Sequence, residues 1–148
     1  MKKQPDKRVE TCPVARSVDI IGDRWSLLIV RNAFDGTRRF SEFQRDLGVA
    51  RSILADRLRD LVDKGILEVQ PASDGTSYQE YVLSSSGQQL FPLIVALRQW
   101  GEQNLFKKGE VHSQLIDNLS GQSLRLMQVT AADGRIVTPQ EVSVKKVS

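Results

Sequence analysis

Cysteine and histidine are nearly absent from this chain of 148 residues, which has one of each, Cys12 and His112. An intrachain disulfide, a Cys/His zinc site and a Cys–His catalytic dyad therefore lack the residues that they require. The motifs GxGxxG, GxxxxGK(S/T), HExxH and GxSxG, typical of nucleotide, phosphate, zinc and hydrolase sites, do not occur. We therefore expect a protein that is not an enzyme and that needs no metal or cofactor.

Long apolar runs are missing as well. No stretch approaches the roughly 18 apolar residues of a membrane span, and the basic start MKKQPDKRVE leads into no apolar signal segment. We therefore expect no membrane partner and a cytoplasmic location. The 21 Lys and Arg residues exceed the 18 Asp and Glu residues by a formal charge of +3, which does not identify a partner by itself.

What the chain does contain is a succession of helical patterns separated by glycine. Four segments with apolar residues at helical spacing follow one another, 13–21, 23–34, 41–47 and 51–64. Asp23 and Ser41 are the predicted N-caps of the second and third helices. Gly48 is predicted to end the third helix in a tight turn. In the fourth segment Leu54, Leu58, Leu61 and Val62 form one apolar stripe.

A hairpin pattern comes after the helices. Two β-like runs, 66–72 and 77–84, are separated by the turn-forming residues 73–76. Ser84 to Gly87 can then cap a long amphipathic helix over 88–106, where Pro92 indicates a kink or a later start. Weak alternation around Asp133–Gly134 predicts a second, smaller hairpin at the end of the chain.

The order of these elements predicts the fold class. Two helices joined by a glycine-containing turn can present the second helix to the major groove of DNA, and the hairpin then forms a wing. We predict an α+β winged helix-turn-helix with a long C-terminal dimerisation helix and a small C-terminal β-hairpin tail. Its segments would be a polar tail over 1–10, the winged domain over 11–106 and an extension over 107–148.

Arginine is concentrated where such a motif needs it. Between residues 38 and 59 there are six arginines and three acids, a local excess of +3. The fourth helical segment, 51–64, is the predicted recognition helix. Arg51 at its start can bond guanine O6 and N7 bidentately, whereas Arg38 and Arg39 are candidates for contacts to backbone phosphates. The complete set of predicted DNA-binding residues is Arg38, Arg39, Ser41, Arg51, Ser52, Ala55, Asp56, Arg59, Ser73 and Thr76.

Other interpretations of the same residues remain open at this point. The arginines can instead form a solvated face with i,i+4 ion pairs such as Arg59 with Asp63. A winged helix can also be a protein-interaction module that binds no DNA, because fold does not fix function. Such a docking surface would favour apolar residues where Arg51 and Arg59 stand. A small enzyme would need a catalytic pair, and His112 lies alone in a polar stretch.

The sequence resembles the HxlR-type family of bacterial winged-helix regulators, relatives of the MarR group. The resemblance covers residues 11–106, and its specificity comes from the combination of several short motifs, each of which would be weak alone. These motifs are Cys12-Pro13-Val14, Ile20 to Trp25 with Leu28-Ile29, Arg39 to Phe43, Leu54, Arg57-Leu58, Leu61, Gly65 to Leu67, Tyr81 to Leu83, Ser86-Gly87, Leu97 and Trp100-Gly101.

The resemblance implies a dimeric transcriptional regulator, a repressor in preference to an activator, with the recognition helix and wing on double-stranded DNA. A two-fold dimer implies a pseudo-palindromic operator. The resemblance places the dimer interface on Val14, Val18, Leu90, Ile94, Leu97, Trp100 and Leu105. The extension is similar to a zinc-ribbon-like tail of some members, but Ser120-Gly121 and Thr130 to Gly134 stand where cysteines would be expected, so we expect no metal.

The remaining question is whether an oxidant or a small-molecule effector controls the activity of the regulator. Some relatives sense oxidants through a cysteine at the position of Cys12, and a cap position near Arg16 would favour a thiolate. An inert capping thiol is the competing interpretation. A small-molecule effector pocket near Trp25 and Trp100 is the other candidate, although aromatic residues at helical spacing are more often core.

Overall fold

The computed structural model describes residues 10–147, which form six α-helices and one two-stranded sheet. The elements in chain order are α1 Pro13–Ile21, α2 Arg24–Phe34, α3 Phe40–Leu47, α4 Arg51–Asp63, β1 Leu67–Pro71, β2 Gln79–Leu83, α5 Ser85–Gln88 and α6 Phe91–Asn104. A 3₁₀ turn, Pro139–Glu141, follows in the C-terminal extension. The predicted order of helices, hairpin and C-terminal helix is confirmed, and the chain is a mixed helix and antiparallel-sheet fold of the winged-helix type.

The helix boundaries follow local capping chemistry. Pro13 occupies the first turn of α1, where its missing N–H costs no hydrogen bond. The Asp23 carboxylate accepts the Ser26 N–H at 2.9 Å and caps α2, as predicted. Gly48 ends α3 at φ 61°, in the left-handed region that glycine adopts without strain.

One predicted helix start is wrong, and another is the later start that Pro92 had indicated. The N-cap of α3 is Arg39, not Ser41, which lies inside the helix, and the Arg39 side chain makes no capping bond there. The Ser84 hydroxyl does accept the Gly87 N–H, but it caps only the short α5. The C-terminal helix, predicted over 88–106, begins only at Phe91 and ends at Asn104, because Pro92 is tolerated in a first turn and not in a helix interior.

One apolar core joins the helices to the hairpin in the first of two compact units, which ends at Phe91. Ile29 of α2, Phe43 of α3 and Leu58 of α4 are fully buried in it. Leu67 of β1 is buried in the same core and connects the sheet to it. The core therefore fixes α3 and α4, the two helices of the helix-turn-helix, relative to the wing.

The wing is an antiparallel pair whose register joins Leu67 to Leu83 and Pro71 to Gln79. The segment before α3 runs beside it, because the Tyr81 N–H donates to the Arg38 carbonyl at 2.7 Å. The loop over 72–78 forms the tip of the wing, and its turn has glycine at φ 77°, Gly75.

The second compact unit begins at Pro92 and contains most of α6 and the extension. Gln99 of α6 accepts the Met127 N–H at 2.7 Å and donates to the Arg125 carbonyl at 2.9 Å. The predicted turn at Asp133–Gly134 is present and is closed by a single β-bridge between Thr130 and Ile136. Between residues 10 and 147, no helix has the length and apolar character needed to cross a bilayer.

Candidate nucleic-acid interface

Helix α4 separates an apolar face from a polar face. Leu54, Leu58 and Leu61 are buried to 1% exposure or less. Its predicted DNA-contacting residues Arg51, Ser52, Asp56 and Arg59 are all exposed, and Ala55 is half-buried between the two faces. The 3.6-residue period of the leucines forces this arrangement, because side chains between them must point away from the core.

The start of α4 combines an arginine with unpaired helix N–H groups. The Arg51 guanidinium carbon lies 5.0 Å from the centre of the Phe40 ring at the start of α3. The N-cap residue is Ala50, whose methyl group cannot accept a hydrogen bond, so the first-turn N–H groups remain available to an anion. Both features favour a phosphate or a base edge at this end of α4.

The base of the wing is held by a buried carboxylate. Glu80 of β2 is 3% exposed and accepts the Ser73 N–H at 3.1 Å and the Ser73 hydroxyl at 3.0 Å. Its second oxygen lies 3.3 Å from the Arg38 guanidinium. The hydrogen bond from the Ser73 N–H is the main cause that holds the pKa of Glu80 below its ordinary value. Burial of the carboxylate opposes this shift, whereas the Ser73 hydroxyl and Arg38 add to it.

The tip of the wing is held by a second carboxylate. Asp74 accepts the N–H and the hydroxyl of Thr76 at 3.0 and 2.8 Å, and its other oxygen pairs with the Arg39 guanidinium. These contacts, those from Thr76 first, lower the pKa of Asp74 to about 2. The Arg39 guanidinium carbon also lies 5.5 Å from the centre of the exposed Tyr78 ring. The predicted DNA-binding residues Ser73, Thr76, Arg38 and Arg39 are thus bonded to two wing acids.

A groove of about 660 Å³ connects the start of α4 with the wing. Its walls include Arg39, Ser41 and Arg51 on the helical side and Tyr78 and Gln79 on the hairpin side. The structure therefore brings together predicted residues from three parts of the sequence. Two guanidinium groups in one open groove suit a phosphodiester chain.

Four of the six clustered arginines are paired with acids, because Arg45 and Arg57 form ion pairs in addition to those of Arg38 and Arg39 with the wing. The Arg57 Nε lies 3.7 Å from the Asp23 carboxylate that caps α2, and the Arg45 Nε lies 3.4 Å from Asp46. Arg59 belongs to no ion pair among residues 10–147, so the alternative pair with Asp63 is absent there. Lys64 instead pairs with Asp60 at 3.3 Å.

The predicted interface residues differ in exposure. Leu90 is half-buried against the core of the first unit, and Ile94 is also half-buried. Five residues are exposed, Val14, Val18, Leu97, Trp100 and Leu105, by 47 to 70%.

Cys12 is exposed at the N-cap of α1, where its own N–H donates to the Glu10 carboxylate at 2.9 Å and Arg16 donates to the Glu10 carbonyl. No three His, Cys, Asp or Glu side chains of the described part of the chain form a metal-binding group.

Sequence reasoning missed three wing residues, Asp74, Tyr78 and Glu80. An exposed aromatic residue in a turn-rich loop was a usable signal for Tyr78. The roles of Asp74 and Glu80 had no local signal, because their arginine partners lie 35 and 42 residues away.

Comparison with protein families assigns this architecture. The family model described as HxlR-like helix-turn-helix matches residues 20–109, which is more than half of the chain. The chain belongs to this family. The relatives compared next are described as HTH-type transcriptional regulators.

Curated relatives agree with the family. The chain is 44% identical over 98 residues to Mb3122 of Mycobacterium bovis, an uncharacterised HTH-type transcriptional regulator. That match covers 66% of this chain and only 62% of the mycobacterial protein. It is 32% identical over 104 residues to YybR of Bacillus subtilis, another uncharacterised HTH-type regulator, covering 70% of this chain and 83% of the relative.

Solved structures confirm the fold. PA1607, described as a candidate transcription factor, is 49% identical, with a TM-score of 0.87, and the alignment covers 93% of this chain and 96% of PA1607. The redox regulator HypR in its oxidised form is 32% identical, with a TM-score of 0.57, over 63% of this chain and 97% of HypR. The likeness to PA1607 therefore extends through the C-terminal extension, whereas the likeness to HypR covers a smaller part of the chain.

Proposed function

We propose that the protein is a sequence-specific transcriptional regulator that binds a pseudo-palindromic operator as a homodimer and represses transcription. The single observation that carries the proposal is the polar face of α4, on which Arg51, Ser52, Asp56 and Arg59 are exposed above a fully buried leucine stripe. A helix of this kind fits the major groove, which is wide enough to admit it. A DNA-binding regulator acts where the chromosome is, so a cytoplasmic location is part of the proposal.

Each predicted contact has a role in this proposal. Arg51 contacts a base edge and Ser52, Ala55, Asp56 and Arg59 line the same helix face. Arg38, Arg39 and Ser41 approach the phosphates from the side of α3, and the wing approaches through Ser73 and Thr76. Phosphate contacts fix the register of a protein on the duplex, whereas base contacts select the sequence.

The proposal is tested by replacing a base-reading and a phosphate-contacting arginine. Arg51→Ala is expected to weaken binding to the cognate operator by about 1–3 kcal/mol and to relax its sequence preference. Arg38→Ala is expected to weaken operator and random duplex nearly equally. Fluorescence anisotropy with the operator, located by footprinting upstream of the gene for this chain, measures both.

Arg135→Ala is the matched control, because Arg135 is an exposed arginine that pairs only with its neighbour Asp133 at 2.8 Å. Equal losses from Arg51→Ala and Arg38→Ala on random DNA would contradict the assigned roles. Failure of the wild-type chain to bind any genomic fragment at low ionic strength would favour a protein-interaction module instead. Ile53, 42% exposed, is the large apolar side chain that α4 would offer to such a partner.

Homodimerisation is proposed from the exposed apolar side chains of α1 and α6. Val14 and Val18 are one helical turn apart and 70% and 56% exposed. Leu97 and Trp100, also on one helix face, are 47% and 59% exposed. Exposed apolar surface on each of these helices is typical of an interface between subunits, and a second copy of the chain would cover it with two-fold symmetry.

A redox response through Cys12 is a further part of the proposal. Cys12 is exposed and precedes α1, and the structurally similar HypR is described as a redox regulator. With one cysteine per chain, oxidation must join two chains or add a small thiol such as glutathione. Operator affinity of wild type and Cys12→Ser before and after diamide treatment tests this role. An oxidant response that survives Cys12→Ser would remove it.

A further inference from the structure

The wing tip contains an ion pair inside the surface proposed for DNA. Arg39 precedes α3, Asp74 lies in the loop of the wing, and their side chains pair across 35 residues of sequence. The Arg39 side chain is 29% exposed and the Asp74 side chain 48% exposed. The pair is therefore accessible to solvent and to an incoming phosphate.

Asp74 is held in place independently of Arg39. One carboxylate oxygen accepts both the N–H and the hydroxyl of Thr76, and the other oxygen faces Arg39. The Tyr78 ring helps to position Arg39, because its centre lies 5.5 Å from the Arg39 guanidinium carbon. The same groove contains Arg51, the proposed base-reading residue. A phosphate entering this groove meets Arg39 with a carboxylate already bonded to it.

We infer that Asp74 is an intramolecular competitor for the DNA phosphate at Arg39 and so limits the affinity of the protein for DNA in general. The inference depends on the proposed DNA-binding function. A carboxylate and a phosphodiester offer a guanidinium the same kind of charge-assisted acceptor, so one must leave when the other binds. Exposed ion pairs are weak, so DNA can displace Asp74 at a modest cost.

The test uses the full chain and a random-sequence duplex, for which no operator needs to be known. Asp74→Asn removes the negative charge but keeps an amide oxygen that can accept from Thr76. We expect this variant to bind the random duplex about two- to fivefold more tightly at low ionic strength. The slope of log affinity against log salt should become steeper by about one ion.

Glu68→Gln is the matched control. Glu68 lies on β1 of the same hairpin, is exposed, and belongs to no ion pair within residues 10–147. It changes the net charge by the same amount but leaves Arg39 paired. We expect Glu68→Gln to gain clearly less affinity than Asp74→Asn. An equal gain in the two variants would mean that Asp74 acts only through net charge, and it would overturn the inference.

A double-variant cycle makes the test specific to Arg39. In an Arg39→Gln background the gain from Asp74→Asn should disappear, since no guanidinium remains to be released. A gain that persists, or a loss of affinity in Asp74→Asn alone, would overturn the inference while leaving DNA binding intact. If the wild-type chain does not bind the duplex at all, the proposed function itself fails and the inference with it.

Discussion

Glu80 illustrates how one side chain places the wing. A carboxylate at 3% exposure would be costly to bury alone, but it bonds the Ser73 N–H, the Ser73 hydroxyl and the Arg38 guanidinium. The network connects the loop of the wing to the segment that leads into α3. A neutral amide at this position keeps the shape of the side chain and weakens all three of these charge-assisted contacts.

The ionisation of Glu80 predicts a pH dependence of stability. Its pKa is lower in the folded protein than in the unfolded chain, so the ionised group stabilises the fold above about pH 4.3. This contribution is lost as the pH falls through the folded-state pKa. We expect Glu80→Gln to be less stable than wild type at pH 7, with a difference that shrinks toward pH 3.

Urea unfolding followed by circular dichroism at several pH values measures the difference. Glu68→Gln, which replaces an exposed glutamate on β1, serves as the control and should differ little from wild type across the same range. A gap between Glu80→Gln and wild type that stays constant down to pH 3 would show that the charge of Glu80 does not stabilise the wing.

At the scale of the element, α4 depends on its buried stripe. Leu58 is fully buried, whereas Ile53 on the same helix is 42% exposed. Leu58→Ala is expected to lower the free energy of unfolding by about 2–5 kcal/mol, because it removes a core side chain and leaves a cavity. Ile53→Ala is expected to change it by less than about 1 kcal/mol. Similar losses from both substitutions, measured by urea unfolding, would be inconsistent with the burial of Leu58.

Elements whose signals are local were predictable from the sequence. The leucine period of α4, the Asp23 cap and the Gly48 turn depend on residues within one or two helical turns of each other. The start of α3 at Phe40 was missed because Ser41 is a residue type that commonly caps helices, and sequence alone does not show that the N-cap lies two residues earlier, at Arg39. The break before α6 was anticipated from Pro92 but its position was not.

The candidate site was predictable in part for the same reason. The exposed face of α4 follows from periodicity, so Arg51 and Arg59 were identified correctly as exposed. The pairs Arg39 with Asp74 and Arg57 with Asp23 join segments that are distant in sequence. Such pairs depend on tertiary packing, and no pattern within a single element indicates them. Counting clustered arginines therefore overestimated the free positive charge of the surface.

At the scale of the whole molecule, the exposed apolar residues of α1 and α6 point to assembly. Val18 and Trp100 keep 56% and 59% of their area exposed in the single chain. In the proposed dimer, burying these side chains against a second copy would contribute favourable free energy. The proposed two-fold operator requires the same assembly, because each half-site needs one recognition helix.

Val18→Asp tests this assembly. We expect the wild-type chain to sediment as a dimer in analytical ultracentrifugation, and Val18→Asp to raise the dimer dissociation constant by at least about tenfold, since a charge would be buried. Val111→Asp is the matched control, because Val111 is 92% exposed and lies outside the proposed interface. A monomeric wild-type chain, or equal effects of the two substitutions, would contradict the proposed interface.

The most direct test of the proposal is a cross-link from α4 to the major groove. With Cys12 replaced by serine, Ser52→Cys gives a single thiol at the exposed start of α4, and Ser120→Cys gives an exposed control thiol in the extension. Operator duplexes with a thiol tethered to a base in the major groove report proximity as a disulfide. We expect a rapid cross-link from position 52 and none from position 120. A duplex that binds but cross-links equally at both positions, or only at 120, would contradict the assignment of α4 to the groove.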